Sequence, residues 1–166
     1  PASSETPEHY VERLAREKAL SIAGQYPEKL VLGSDTSVIH YEEILGKPES
    51  TEQAVSMLQA LSGSTHQVLT AVALAKGAEC WSRVVTTDVT FRELEAAEIS
   101  AYVASGEPMD KAGSYGIQGL GGIFVSAIKG SYSAVVGLPL QETAALLAQA
   151  GHSVIQSWPR TKESQQ

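Results

Sequence analysis

The sequence predicts an α/β fold in which helices flank a curved mixed β-sheet. Three observations carry that expectation. Amphipathic helix patterns alternate along the chain with strand patterns. Two long strand candidates, roughly residues 66–75 and 79–93, follow each other with only a turn at Gly77 between them, so part of the sheet is antiparallel. Seven of the 14 glycines crowd into residues 111–137, where they alternate with Tyr, Ile, Phe and Val. That density does not fit a packed helix, and the interleaved apolar residues do not fit a flexible linker.

The elements follow in order. Residues 7–26 read as a helix with Thr6 as cap and Pro7 at its first position. Val11, Leu14, Ala15 and Ile22 form its expected apolar stripe, and Lys18 falls on the same stripe. Residues 29–35 read as a buried strand ending on Asp35, and residues 37–46 as a short hairpin. Residues 51–63 form an amphipathic helix, with Thr51 as its expected cap, Val55, Leu58 and Leu61 facing inward, and Gly63 as its stop. The two long strands come next. In the second, Val85, Thr87, Val89 and Phe91 alternate with polar neighbours. A helix over 95–104 leads into the glycine-rich segment, and a last helix covers 140–150, with Gly151 behind it. Residues 1–155 make one domain, and 156–166 a polar tail.

Composition narrows the function. A chain of 166 residues buries about 70% of its unfolded surface, enough for one core. The net charge of −7 argues against a binder of nucleic-acid polymers, which would carry a basic face. It leaves room for a single nucleotide in a local basic pocket. Cys80 is the lone cysteine, so no intrachain disulfide forms, which suits a reducing compartment. No apolar run approaches the ~20 residues of a membrane span, and no signal peptide opens the sequence.

Several residues stand out chemically. The glycine segment, flanked by Lys111 and Lys129, offers exposed backbone N–H groups that suit an anionic small molecule. A tight barrel corner or a bulged strand would use the same glycines. Asp35, at the end of its strand, suits a divalent cation or the activation of water, although Asp-Thr-Ser is equally good turn chemistry. Lys18 and Lys47 would make a phosphate site if they converged on Asp35; a lysine on an apolar stripe otherwise snorkels. Gln118 sits in the run Gly116-Ile117-Gln118-Gly119. Its amide presents one donor and one acceptor, which matches N3–H and O4 of uracil or thymine, and it can also simply satisfy local backbone. His9, His40, His66 and His152 lack metal-ligand spacing and read as surface or boundary residues. Cys80 reads as a small buried hydrophobe, and Glu93, Glu95 and Glu98 as a solvated helix start.

Eight segments, in order, closely resemble the Maf-type nucleotide pyrophosphatases: LAREKA (14–19), LGSDTSV (32–38), ILGKP (44–48), SMLQALSG (56–63), HQVLTAVAL (66–74), VTTDVTFREL (85–94), YVASGEPMDKAGSYGIQGLGG (102–122) and GSYSAVVGLPL (130–140). The resemblance covers roughly residues 7–150. It implies two lobes around a nucleotide cleft, in the Maf/ITPase-like manner. The implied reaction is hydrolysis of a nucleoside triphosphate to its monophosphate and pyrophosphate, assisted by magnesium or manganese. It also implies a cytoplasmic homodimer. By motif, Asp35 corresponds to the water-activating carboxylate and a possible metal ligand. Lys18 and Lys47 correspond to phosphate-facing lysines. Thr36 and Gln118 correspond to positions tied to base choice, with Lys111 beside them in the substrate-binding set. The Thr/Gln pattern resembles the dTTP/UTP subgroup rather than the 7-methyl-GTP subgroup.

One departure bears on activity. The family's opening strand and Ser-x-Arg-Arg loop have no counterpart within these 166 residues. Arginine forks grip phosphate in a way that scattered lysines do not replace. The alternative expectation is therefore a catalytically impaired nucleotide-binding or dimerisation module.

Overall fold

A computed structural model describes residues 4–160. Helix α1 (Pro7–Gln25) begins where Thr6 accepts a hydrogen bond from the His9 N–H, with Pro7 in the first turn. Its buried stripe is Val11, Ala15, Ala19 and Ala23. Leu14 is only half-buried and Ile22 is exposed, so the helix is rotated from the expected face. The smallest side chains win that face because the sheet approaches closely there.

Strand β1 (Val31–His40) does not stop at Asp35. The run Thr36-Ser37-Val38-Ile39, β-branched at all but Ser37, carries it onward, and the chain reverses only at Tyr41 and Glu42, both with positive φ. The expected hairpin then closes with β2 (Glu43–Leu45). Helix α2 (Thr51–Leu61) is capped by Ser50, not Thr51: the Ser50 hydroxyl accepts from the Gln53 N–H. Leu58 and Leu61 are buried as expected, Ala54 with them, and Val55 is half-buried.

Strands β3 (Thr65–Lys76) and β4 (Glu79–Phe91) pair along their full length around the Gly77 turn. Helix α3 (Ala96–Ala104) starts on a Glu95/Glu98 capping box, and Arg92 adds paired hydrogen bonds to Glu98. The glycine-rich segment is neither a barrel corner nor one bulged strand. It folds as two short 3₁₀ turns (Ala112–Ser114 and Leu120–Phe124), strand β5 (Val125–Lys129) and helix α4 (Tyr132–Val136). Helix α5 (Leu140–Gln149) and a short turn at Val154–Ser157 complete the chain. Of the expected polar tail, residues 156–160 are exposed and 161–166 lie outside the described residues.

The sheet order is β2-β1-β3-β4-β5. All four described pairings are antiparallel, so no parallel pairing supports the mixed part of the expectation among the described residues. The central strand β3 is buried on both faces, and its side chains alternate between two cores. Leu69, Ala71, Ala73 and Ala75 meet α1. Val68 joins Leu58, Phe91, Tyr102, Tyr115 and Phe124 on the other face, while Val72 and Leu74 pack with Leu146 of α5. On the α1 side the layers nearly touch: a Cβ on Gly33 would lie 2.8 Å from the Ala15 carbonyl oxygen. Among the described residues no helix is long and apolar enough to cross a membrane.

Candidate active site

A cavity of about 430 Å³ opens on the sheet face away from α1. Its size falls in the range of small-molecule sites, roughly 300–1,000 Å³. Val38, Val68, Tyr115 and Val135 supply apolar walls, while Thr36, Lys47, Lys111 and Gln118 supply polar groups. Strand alternation sends Thr36 and Val38 of β1 to this face. The Lys47-Pro48 corner after β2 brings Lys47 to it, and the glycine turns bring Lys111 and Gln118. Four of the six residues expected at the site therefore meet in one place. Lys129, the other lysine flanking the glycines, stands on β5 opposite Asp88 and is not part of the lining.

Asp35 and Lys18 meet elsewhere. Asp35 is Thr36's neighbour on β1, so its side chain leaves the sheet toward α1. There Lys18 Nζ donates to the Asp35 carboxylate at 2.5 Å, and the Ser34 carbonyl lies 3.5 Å away. The Asp35 side chain is 14% exposed, against 57% for Lys18. Lys18 thus reaches Asp35, while Lys47 lines a cavity whose walls do not include Asp35. Between Val31 and Ser37, β1 pairs only with β3 among the described residues, which leaves its other edge open beside Asp35.

The loop carrying Gln118 is held from behind by Glu107. Its carboxylate accepts from the Tyr102 hydroxyl at 2.7 Å, the Leu120 N–H at 2.9 Å and the Gly121 N–H at 3.2 Å. Burial pushes this carboxyl up, but the three hydrogen bonds outweigh it and hold the group below its ordinary value. Tyr102 in turn accepts from the Gly116 N–H, and burial together with Glu107 pushes its phenol up. A Cβ on Gly119 would push the Glu107 carboxylate out of this position. At the cavity rim, the Lys111 ammonium beside Asp110, helped by Lys47, holds the Asp110 carboxyl below its ordinary range.

His66 departs from the expected boundary position: it is 2% exposed. Its Nε2 lies 2.7 Å from the Tyr115 hydroxyl, and its ring stands edge-on to Phe91 and Tyr115. Burial, with a smaller contribution from His40, lowers its pKa to about 4. The His66 ring therefore stays neutral at physiological pH and anchors one wall of the cavity. Sequence spacing gave no sign of Glu107 or His66 as organising groups, because their partners are loop N–H groups and a tyrosine far along the chain. The only local signal for Thr70, whose hydroxyl is buried beside Thr36, is a polar residue inside the apolar run VLTAVALA.

The described side chains alone do not make a cage for a divalent cation. Among the described residues no group of three or more His, Cys, Asp or Glu side chains converges, and Asp35 stands beside an ammonium.

Fold and cavity together define an α/β protein with a cation-rimmed, apolar-walled cleft of small-molecule size. The chain belongs to the Maf family, whose pattern, described as Maf-like protein, matches residues 1–150. It is 58% identical over 153 residues to a dTTP/UTP pyrophosphatase of Colwellia psychrerythraea, covering 89% of this chain and 72% of that protein. A dTTP/UTP pyrophosphatase of Shewanella frigidimarina is 58% identical over 151 residues, covering 89% and 77%. One from Escherichia coli O157:H7 is 59% identical over 145 residues, covering 87% and 74%.

Proposed function

We propose that the protein hydrolyses nucleoside triphosphates, dTTP and UTP foremost, to the monophosphate and pyrophosphate. The observation that carries this reading is the cleft, which gathers Thr36 and Gln118 with Lys47 and Lys111 against apolar walls. The names of its relatives support the substrate class. The base lies against Tyr115 and the valines, with Thr36 and Gln118 at its polar edge. The phosphates run past Lys47 toward the open edge of β1 and the Lys18–Asp35 pair. Asp35 takes a proton from water as the water oxygen bonds to the α-phosphorus. The bond from that phosphorus to the α–β bridging oxygen breaks, and pyrophosphate leaves with the electron pair. A positioned base contributes typically ~10²–10⁴-fold, and the lysines stabilise charge as it moves onto the leaving group. Magnesium or manganese would be held mainly by the triphosphate oxygens and would offset their charge, since the described side chains form no ligand cluster. A cytoplasmic homodimer is part of the same proposal; light scattering tests the dimer.

One observation favours a second reading, nucleotide binding without turnover: Asp35 and the cleft lie on opposite faces of the sheet. The deciding experiment measures pyrophosphate release from a panel of nucleoside triphosphates with magnesium or manganese, beside dTTP binding. Release from dTTP and UTP that vanishes in Asp35→Asn is the expected result. Binding without release would establish the second reading. Absence of both would remove the cleft as a nucleotide site.

A further inference from the structure

Thr36 and Thr70 face each other directly across the β1–β3 pairing. Their hydroxyl oxygens lie 3.0 Å apart. Thr70 is fully buried, and its oxygen lies 2.6 Å from the carbonyl oxygen of Ala134 in α4. A hydroxyl has one proton and two acceptor lone pairs, whereas a carbonyl only accepts. The Thr70 proton must therefore point at Ala134. The Thr36–Thr70 contact then needs the Thr36 proton, since without it two lone pairs would face each other in a buried site. Both protons are committed in one direction: Thr36 donates to Thr70, and Thr70 donates to Ala134. Thr36 lines the cleft, so it has only lone pairs to offer a ligand.

We infer that Thr70, through this hydroxyl relay, makes Thr36 an obligate acceptor and so selects bases that present an N–H donor at N3. The inference rests on the proposed reading of the cleft as a nucleotide site. Thymine and uracil carry N3–H; cytosine has a lone pair at N3. Cytosine in the same pose would set its lone pair against that of Thr36, and a buried polar group left unpaired is a strong source of rejection. With N3–H on Thr36, the Gln118 amide is left to O4 of thymine or the N4 amino group of cytosine, and it serves either by turning, so it cannot make this distinction. Thr70 touches no ligand and is a specificity-setting positioning residue. Its action differs from simple packing because it changes which hydrogen-bond partner is accepted, not how much room there is.

The test compares dissociation constants of dTTP and dCTP for the 166-residue chain, a readout that does not depend on turnover. Thr70→Val keeps the shape but removes the relay, freeing the Thr36 proton for the cleft. The preference for dTTP over dCTP is expected to narrow by about tenfold, with dCTP binding strengthened. Thr70→Ser keeps the relay and the wild-type preference. Thr36→Val, at a half-buried position that tolerates the change if Thr70→Val fails to fold, is expected to weaken dTTP and, by removing the opposed lone pair, to strengthen dCTP. An unchanged preference in folded Thr70→Val, or equal losses of both nucleotides in Thr36→Val, overturns the inference. If the wild-type chain binds neither nucleotide, the nucleotide reading itself fails and the inference goes with it; dTTP binding with no discrimination against dCTP overturns the inference alone.

Discussion

The two faces of the sheet are built on opposite principles. On the α1 face, Ala15, Ala19 and Ala23 pack on Ala71, Ala73 and Ala75, and Gly33 lets the helix backbone come down onto β1. On the other face, large side chains such as Leu58, Phe91, Tyr115 and Phe124 fill the core, and the cavity opens between Tyr115, the valines of β1 and β3 and the glycine turns. Small residues close one face and large ones leave space on the other. Consecutive residues of β1 and of β3 are thereby divided: Asp35 and Ala71 belong to the closed face, Thr36 and Thr70 to the open one. Close packing makes the first face a scaffold except at the open edge of β1, where Lys18 meets Asp35, and the second face holds the cavity.

Four experiments break or sharpen this contrast. Asp35→Asn has the largest expected effect, a loss of about 10²–10⁴-fold in turnover with dTTP binding retained. Full turnover in that variant would confine the chemistry to the open face. Acid should weaken the open face next. The folded protein keeps His66 neutral down to about pH 4, while in the unfolded chain it protonates near 6.5. Between those values the unfolded chain binds more protons, so His66's contribution is complete above pH 6.5 and is lost as pH falls toward 4, by at most about 3 kcal/mol. Denaturant titrations should show that slope flattened in His66→Gln; an identical slope would remove His66 as its source.

On the closed face, Gly33→Ala forces a methyl against helix backbone and should cost about 1–2 kcal/mol. Thermal melting reads the loss, and dTTP affinity should stay within twofold by the same contrast. A large loss of affinity would mean that the two faces are coupled. Gln118→Glu is the mildest. Replacing the amide by an acceptor-only carboxylate should weaken pyrimidine use by about 1 kcal/mol. An unchanged ratio of pyrimidine to purine turnover would remove Gln118 from base reading.

Much of the fold was legible because local chemistry and tertiary structure agree. Thr6-Pro7 starts α1, Gly77 turns β3 into β4, and the helices and long strands appear near their expected positions. The misreadings share a cause. Hydrophobicity places Leu14 and Ile22 on the buried stripe of α1, yet at close approach size decides, and alanines take that face. Asp35 reads as a strand end because Asp-Thr-Ser is good turn chemistry, yet pairing with β3 and then β2 carries β1 to His40. His66 looked like a boundary residue because nothing nearby in sequence announces Tyr115, 49 positions away.

The candidate site divides in the same way. Sequence by itself determined the residue types: Lys47, Lys111, Thr36 and Gln118, the glycines that let a loop turn tightly, and the motifs that mark the Maf family. These are properties of short segments, and short segments carry them intact. Tertiary structure decided who meets whom. It gathered Thr36 and Gln118 in one cavity, put Asp35 with Lys18 behind the strand, set Glu107 under the glycine loop and ran one line of hydroxyls from Thr36 through Thr70 to Ala134. Those relations depend on strand register and layer spacing, which arise only when distant segments pack together.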